Sequence, residues 1–191
     1  MRVNMPTAHE ITRQSAELVI AGPFFEATRE IGIDAGHRVM HHHSKCRSLH
    51  GHRYTVQATI RGPLIGDGSS EGMVMDFGFL KDIMMEEIDA PCDHGTIICV
   101  NDIIMMQALI SDEHLDGVSD VVRGTGLGVN GYVHQGPLGK VYVVRFIPTA
   151  ENLARHWFER IQAAMPPPNT TRLHRVRVWE TPNCFADYPS T

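Results

Sequence analysis

Residues 46–61 read CRSLHGHRYTVQATIR, and this stretch decides the fold. From residue 54 onward, core-type side chains (Tyr, Val, Ala, Ile) alternate strictly with polar ones (Thr, Gln, Thr, Arg). Such alternation predicts a β-strand with one face toward the core. His50 and His52 lie upstream at the parity of the core-type side chains. If the strand continues through them, both imidazoles point to the core-facing side.

A second alternating segment ends at His37. Its odd-numbered side chains share the core-facing parity and predict a neighbouring strand, so His37, His50 and His52 can converge. One interpretation is that each is an ordinary core histidine whose ring N–H is satisfied by a carbonyl. The other is metal binding, because three neutral nitrogens with an open fourth position are typical of a catalytic zinc site. The odd-numbered side chains are Phe25, Ala27, Arg29, Ile31, Ile33, Ala35 and His37.

The polar connection between these strands, MHHHSKCRS, contains two further features. The run His41–His43 is interpreted as solvated loop residues, with adventitious metal binding as the alternative. Cys46 is either a small buried hydrophobic side chain or a reactive thiolate, a form that the flanking charges of Lys45 and Arg47 favour.

The rest of the chain predicts the order β-β-α-(insert)-α-β, an α+β sheet with helices on one face. A further strand is expected in the insert or near residues 73–75. Residues 117–139 hold seven glycines and are predicted to be a loop or flap. The other predicted elements are a helix within residues 73–90 that ends near Pro91, a possible strand at 141–146, a helix capped by Thr149 and ended by Pro166, and a strand at 173–180.

Composition narrows the class of protein. The 191 residues, 42% of them hydrophobic, suit an arm at 1–22 followed by a single domain at 23–191. A net charge of −5 argues against a nucleic-acid binder, and no apolar run is long enough to span a bilayer. The N-terminus lacks the pattern of a secretory signal, and the four cysteines form no C-x-x-C pair. We therefore expect reduced thiols in a cytoplasmic protein.

Six motifs in order resemble those of the 6-pyruvoyl-tetrahydropterin synthase / 6-carboxy-tetrahydropterin synthase family. The resemblance covers about residues 24–102 and 147–188, and it leaves out a Gly-rich insertion at about 103–146. It implies the tunnelling fold (T-fold), with a four-stranded antiparallel sheet and two helices on one face. It also implies a homo-oligomer, a hexamer or a tetramer, whose sheets join into a β-barrel with active sites between subunits. The motifs are AGHRV (35–39), SKCRSLHGHRY (44–54), GMVMDFGFLK (72–81), CDHGTI (92–97), PTAENLA (148–154) and WETPNCFADY (179–188).

The same resemblance implies roles for individual residues. Read without it, Asp93 and His94 would be an ordinary surface turn, and Glu180 a solvated strand end. By position in the motifs, His37, His50 and His52 are the zinc ligands, Cys46 is the catalytic acid or base, Asp93 and His94 work with that cysteine, Glu180 anchors the pterin, and Thr149 and Glu151 are weaker candidates for the pterin pocket.

The implied reaction is zinc-dependent and acts on 7,8-dihydroneopterin triphosphate. Only three residues separate Cys46 from His50, a short spacing that resembles the 6-carboxy-tetrahydropterin synthases of queuosine and deazapurine biosynthesis. The alternatives are the 6-pyruvoyl product and a non-catalytic zinc-binding T-fold protein. No residue is assigned to the triphosphate, and no nucleic-acid or membrane partner is expected. A G-x-G-x-x-G run at 126–131 precedes no helix and is not interpreted as a dinucleotide site.

Overall fold

The structure is a computed structural model that describes residues 23–124, 131–167 and 170–189. The predicted arm at 1–22 and the glycines at 126 and 128 lie outside these residues. All four cysteines lie inside them and are free thiols.

Within these described residues, seven strands form one mixed sheet in the order β4-β5-β3-β1-β2-β6-β7. β3 runs parallel to both β1 and β5, and the remaining neighbours are antiparallel. The expected four-stranded antiparallel sheet is therefore wrong: the insertion adds two strands beyond β3, and β7 adds an edge next to β6. The strands are β1 (Phe25–His37), β2 (His50–Gly62), β3 (Gly95–Cys99), β4 (Tyr132–Gly136), β5 (Gly139–Val144), β6 (Arg172–Thr181) and β7 (Cys184–Tyr188).

Among the described residues, four main helices accompany the sheet, and three of them begin at a side-chain cap. Asp76 accepts a hydrogen bond from the backbone of Gly78 at 2.6 Å, Asp102 accepts one from Met105 at 3.3 Å, and the predicted cap Thr149 accepts one from Asn152 at 3.5 Å. None of the described helices is long and apolar enough to cross a membrane. The helices are α1 (Phe77–Met84), which continues through a π-helical turn (Met85–Asp89) and a short turn (Ala90–Cys92), α2 (Ile103–Leu109), α3 (Asp112–Gly124) and α4 (Ala150–Ala164).

Two hydrophobic clusters lie on opposite faces of the sheet. The first joins β1, β2 and β6 to α1 and α4 and includes Ile97 of β3. The second includes the next residue, Ile98, and packs against α2 and α3. Because successive strand side chains point to opposite faces, helices cover both faces at this end of the sheet. The expectation of helices on one face is wrong, because the insertion supplies its own helical layer.

The insertion is more regular than its glycines suggest. The loop or flap predicted at 117–139 is instead the end of α3, residues outside the described ranges, and strand β4. The strand predicted at 141–146 is confirmed as β5, whereas residues 73–75 form no strand. α3 is stabilised because the side chains of Val118 and Val122, one turn apart on the same helix face, are buried in the second cluster.

The ladder between β1 and β2 positions the three histidines. His37 lies opposite His50, and Ala35 lies opposite His52. Tyr54 continues the same face of β2 and is fully buried. The predicted strands and their shared parity are confirmed, so the three imidazoles lie on one face at one end of the sheet.

His156 of α4 gives the fold a predictable dependence on pH. Its Nε2 lies 2.8 Å from the Tyr142 hydroxyl, and burial, followed by the charge of Arg160, lowers the pKa of His156 to about 3. The unfolded histidine takes up its proton near the ordinary pKa of 6.5. We therefore expect this group to lower the free energy of unfolding as pH falls from 6.5 toward 3, by up to about 1.4 kcal/mol per pH unit.

Urea unfolding of the wild type and of His156→Gln, repeated from neutral pH down to about pH 4, measures this contribution. The glutamine can still hydrogen-bond Tyr142 but cannot take up a proton, so its stability should fall less steeply with acid. Parallel pH profiles for the two chains would contradict the prediction.

Candidate active site

Three histidines converge where β1 ends and β2 begins. The ring centroids of His37 and His50 are 4.5 Å apart, those of His37 and His52 are 5.1 Å apart, and those of His50 and His52 are 5.0 Å apart. One nitrogen of each ring lies within 4.8 Å of the corresponding nitrogens of the other two. Strand parity predicts that these three side chains share a face, and the structure brings them together there.

Backbone carbonyls orient two of the rings. The Nδ1 of His37 lies 2.6 Å from the Pro148 carbonyl oxygen, and the Nδ1 of His50 lies 2.8 Å from that of Ser48. A carbonyl only accepts, so each Nδ1 carries the proton and each Nε2 keeps its lone pair. The Nε2 of His37 is buried without a hydrogen-bond partner among the described residues. Such an orphaned nitrogen beside two other imidazoles fits a metal ion, and outer carbonyls of this kind commonly orient metal-binding histidines.

The local electrostatics favour neutral imidazoles. Burial lowers the pKa of His37 to about 4, the hydrogen bond to Pro148 opposes this shift, and the charges of His50 and His52 reinforce it. Burial and the charge of His50 also lower the pKa of His52. The neutral form is the one that binds metal, so His37 and His52 are suited to do so at neutral pH.

A pocket of about 250 Å³ opens beside the histidines. Cys46, Thr149, Glu151 and Glu180, which the motifs indicate as site residues, all line it together with His37 and His50. Five other lining residues were not predicted from the sequence as part of the site. The last motif contains two of them on β7, but their place in the pocket depends on the pairing of β7 with β6. The five are Val39, His42, Ala150, Cys184 and Phe185.

Two carboxylates, those of Glu151 and Glu180, line this pocket. Glu180 lies near the end of β6, with one carboxylate oxygen 4.0 Å from the Nε2 of His37. Burial raises the pKa of Glu180, the charge of Glu151 raises it further, and His50 opposes both effects. This pair gives the pocket a wall of hydrogen-bond acceptors suited to a ligand edge rich in N–H donors.

Asp93 and His94 form a second, separate group in the turn that precedes β3. The Nδ1 of His94 lies 2.7 Å from a carboxylate oxygen of Asp93, and the other oxygen accepts a hydrogen bond from the backbone N–H of Asp34 at 2.8 Å. His94 has a φ of 53°, and its N–H donates to the Asp34 carbonyl at 2.7 Å. Burial raises the pKa of Asp93, but its hydrogen bonds with Asp34 and His94 outweigh burial, and the net shift is downward.

Within one chain, this pair does not reach Cys46. The Asp34 carboxylate, which lies within 4.8 Å of the ligand atoms of the pair, has the parity opposite to that of His37 and so projects from the other face of the sheet. Among the described residues, the lining of the pocket includes neither Asp93 nor His94. Their ligand atoms and those of Asp34 lie within 4.8 Å of one another, but Arg53 pairs with Asp34 there and opposes a bound cation.

Comparison with known proteins gives consistent matches. A family model described as 6-pyruvoyl tetrahydropterin synthase matches residues 26–191. The chain is 33% identical to the 6-carboxy-5,6,7,8-tetrahydropterin synthase of Rickettsia bellii over 162 residues, 85% of this chain and 98% of that protein. It is 30% identical to the enzyme of that name from Haemophilus influenzae over 164 residues, 86% of this chain and 98% of that protein.

Two solved structures share the fold. An uncharacterized protein from Wolinella succinogenes has a TM-score of 0.66 at 24% identity, over 87% of this chain and 98% of that chain. The 6-pyruvoyl tetrahydropterin synthase of Caenorhabditis elegans has a TM-score of 0.55 at 22% identity, over 88% of this chain and 97% of that chain. The resemblance carried by the six motifs is thereby confirmed.

Proposed function

The chain belongs to the 6-pyruvoyl tetrahydropterin synthase family of enzymes, and from this premise we propose which reaction it catalyses. It converts 7,8-dihydroneopterin triphosphate to 6-carboxy-5,6,7,8-tetrahydropterin and releases acetaldehyde and triphosphate. One observation carries the proposal: Cys46 lines the same pocket as two of the converging histidines and Glu180. The names of the relatives and the short spacing between Cys46 and His50 support the 6-carboxy product. We place the reaction in queuosine or deazapurine biosynthesis in the cytoplasm.

His37, His50 and His52 would hold a zinc ion in this scheme. Three neutral imidazoles with an open position suit catalytic zinc. The ion would supply Lewis acidity that makes the carbons between the hydroxyls of the substrate side chain more acidic. The carbonyls of Pro148 and Ser48 orient the rings of His37 and His50, so the Nε2 atoms of these rings need little rearrangement to bind the ion.

Cys46 would move the proton. In its thiolate form, the Sγ takes a proton from a side-chain carbon of the substrate and returns it later in the reaction. Glu180 accepts N–H donors from the amino-pyrimidinone edge of the pterin. Glu151 and Thr149 line the same pocket and would contact the rest of the ring.

Asp93 and His94 would act on the pocket of another subunit. Their mutual hydrogen bond orients His94, yet, among the described residues, the pair does not line the pocket that contains the Cys46 of its own chain. We therefore propose a homo-oligomer, a hexamer or a tetramer, in which this pair reaches a neighbouring pocket. Small-angle scattering of the purified protein tests the assembly, and a monomer with full activity would contradict it.

Glu180→Gln is expected to weaken pterin binding roughly 10- to 100-fold, because hydrogen bonds to a charged acceptor contribute about 1.5–3 kcal/mol. The amide offers one acceptor oxygen where the carboxylate offers two. Fluorescence titration with a dihydropterin measures the affinity. The control is Glu159→Gln, which alters an exposed pair with Arg155 on α4 outside the pocket. Unchanged affinity in Glu180→Gln would mean that the anchor lies elsewhere.

Product analysis tests the reaction as a whole. Zinc-loaded protein is incubated with 7,8-dihydroneopterin triphosphate, acetaldehyde is trapped as a hydrazone, and the pterin is identified by mass. We expect trapped acetaldehyde and the 6-carboxy product. A pterin that keeps all three side-chain carbons, without acetaldehyde, would assign the 6-pyruvoyl reaction instead. Recovery of unchanged substrate would favour a non-catalytic zinc-binding protein.

A further inference from the structure

A largely buried ion pair contacts the loop that carries Cys46. Arg38 follows His37 at the end of β1, and Asp102 immediately precedes α2. The Nε of Arg38 lies 2.5 Å from one carboxylate oxygen of Asp102, and its Nη2 lies 2.8 Å from the other. The side chains are only 15% and 5% exposed. Such a two-pronged contact fixes the guanidinium plane as well as its position.

Asp102 is itself held firmly in place. Its Oδ1 caps α2 by accepting a hydrogen bond from the Met105 backbone at 3.3 Å, and its own N–H donates to the Cys99 carbonyl at 2.9 Å. Met105 and Met106 of α2 are buried in the second hydrophobic cluster. The carboxylate is therefore a rigid anchor for Arg38.

The Cys46 loop, in contrast, has little packing of its own. Cys46 lies in a single helical turn, Lys45–Arg47, in which no side chain is buried. Two contacts tie this turn to the residues after β1. The Val39 N–H donates to the Cys46 carbonyl at 2.8 Å, and the Nη1 of Arg38 donates to the Arg47 carbonyl at 3.4 Å. Polar contacts, not core packing, thus set where the thiol lies.

We propose that Arg38 and Asp102 are positioning residues that hold Cys46 at the pocket, in register with the three histidines. The inference rests on the proposed role of Cys46 as the proton carrier. Arg38 contacts the Asp102 carboxylate and also the Arg47 carbonyl. Because Asp102 is fixed at the start of α2, the guanidinium restricts the movement of the turn that carries Cys46. A displacement of about 1 Å at a reacting group costs roughly 100-fold in rate.

Asp102→Asn and Arg38→Lys test the proposal. Asparagine keeps a capping oxygen for α2 but loses the charge. Lysine keeps the buried carboxylate paired but cannot bridge Asp102 and the Arg47 carbonyl together. Arg38→Lys therefore remains informative if Asp102→Asn folds poorly. In both variants, we expect kcat to fall roughly 10- to 100-fold, with KM within about threefold of the wild type because the pterin contacts are intact.

Hydrogen exchange gives a readout that needs no turnover. The amides of Val39, Arg47 and Ser48 all make hydrogen bonds within this loop, and we expect them to exchange at least about tenfold faster in both variants. If the wild type fails to convert the pterin but these amides exchange faster in both variants, the proposed function is wrong and the positioning contact is still supported.

The matched control is Glu87→Gln. Glu87 pairs with Arg160 at 2.6 Å, and their side chains are 19% and 17% exposed; among the described residues, the pocket lining includes neither. This variant should lose comparable thermal stability while kcat and the loop amides stay at wild-type values. Wild-type exchange and kcat in Arg38→Lys would overturn the proposal. So would equal losses of kcat in Glu87→Gln, because the effect would then be general destabilisation.

Discussion

His52→Ala is expected to reduce bound zinc from about one ion per chain to a small fraction of that, and to lower turnover roughly 1,000-fold or more. Removing one of three imidazoles leaves too few ligands to hold the ion against dialysis. The Lewis acidity that the ion supplies corresponds to several kcal/mol at the transition state. His50→Ala should behave in the same way, because the two side chains lie on the same face of β2.

Elemental analysis after dialysis checks this prediction. The variants are made in a chain whose His41–His43 run has been replaced, so that a second, adventitious site cannot mask the loss. His114→Ala is the matched control, because His114 is an exposed histidine of α3 that hydrogen-bonds Ser111 away from the pocket. Full zinc content in both His50→Ala and His52→Ala would rule out this ligand set.

Cys46→Ala is expected to lower kcat by roughly 100- to 10,000-fold, the usual contribution of a positioned general acid or base. The zinc content should stay at the wild-type value because the three histidines are untouched. Pterin affinity should stay within a few-fold, because Glu180 and the rest of the pocket remain. Stopped assays with a zinc determination on the same sample measure both quantities.

Cys46→Ser separates the chemistry of the thiol from its size. The hydroxyl fills nearly the same space but holds its proton far more tightly at neutral pH, so we expect a loss similar to that of Cys46→Ala. Near-normal turnover in Cys46→Ala would show that another group moves the proton.

Short-range patterns predict the centre of the molecule well. The period of two in β1 and β2 follows from burial of one strand face, and it brings His37, His50 and His52 to a common face without any knowledge of the sheet order. The Thr149 cap of α4 is equally local, because the cap bonds a residue three positions away.

The edge strand β7, the helix α3 and the placement of Asp93 depend on contacts between residues that are distant in sequence. β7 is a short edge strand held by its pairing with β6, including the bidentate contact between Arg177 and Asp187. α3 contains glycine and buries only Val118 and Val122, so local propensity predicts a loop. Asp93 lies apart from Cys46 because it packs beside the Asp34 carboxylate, which projects from the face of β1 opposite to His37. The motif CDHGTI carries no information about that contact.

The two hydrophobic clusters have a consequence for how the protein inactivates on warming. The second cluster packs α2 and α3 against one face of β3 and β5, whereas the first cluster extends from β5 across to β7. A helical layer of this kind unfolds locally at a lower free-energy cost than global unfolding of the chain. Opening α2 would release Asp102, and with it the support of the Cys46 loop. We therefore expect heat to abolish turnover several degrees below the midpoint of global unfolding, and reversibly, because the sheet and the three histidines would still be in place when the loop becomes disordered.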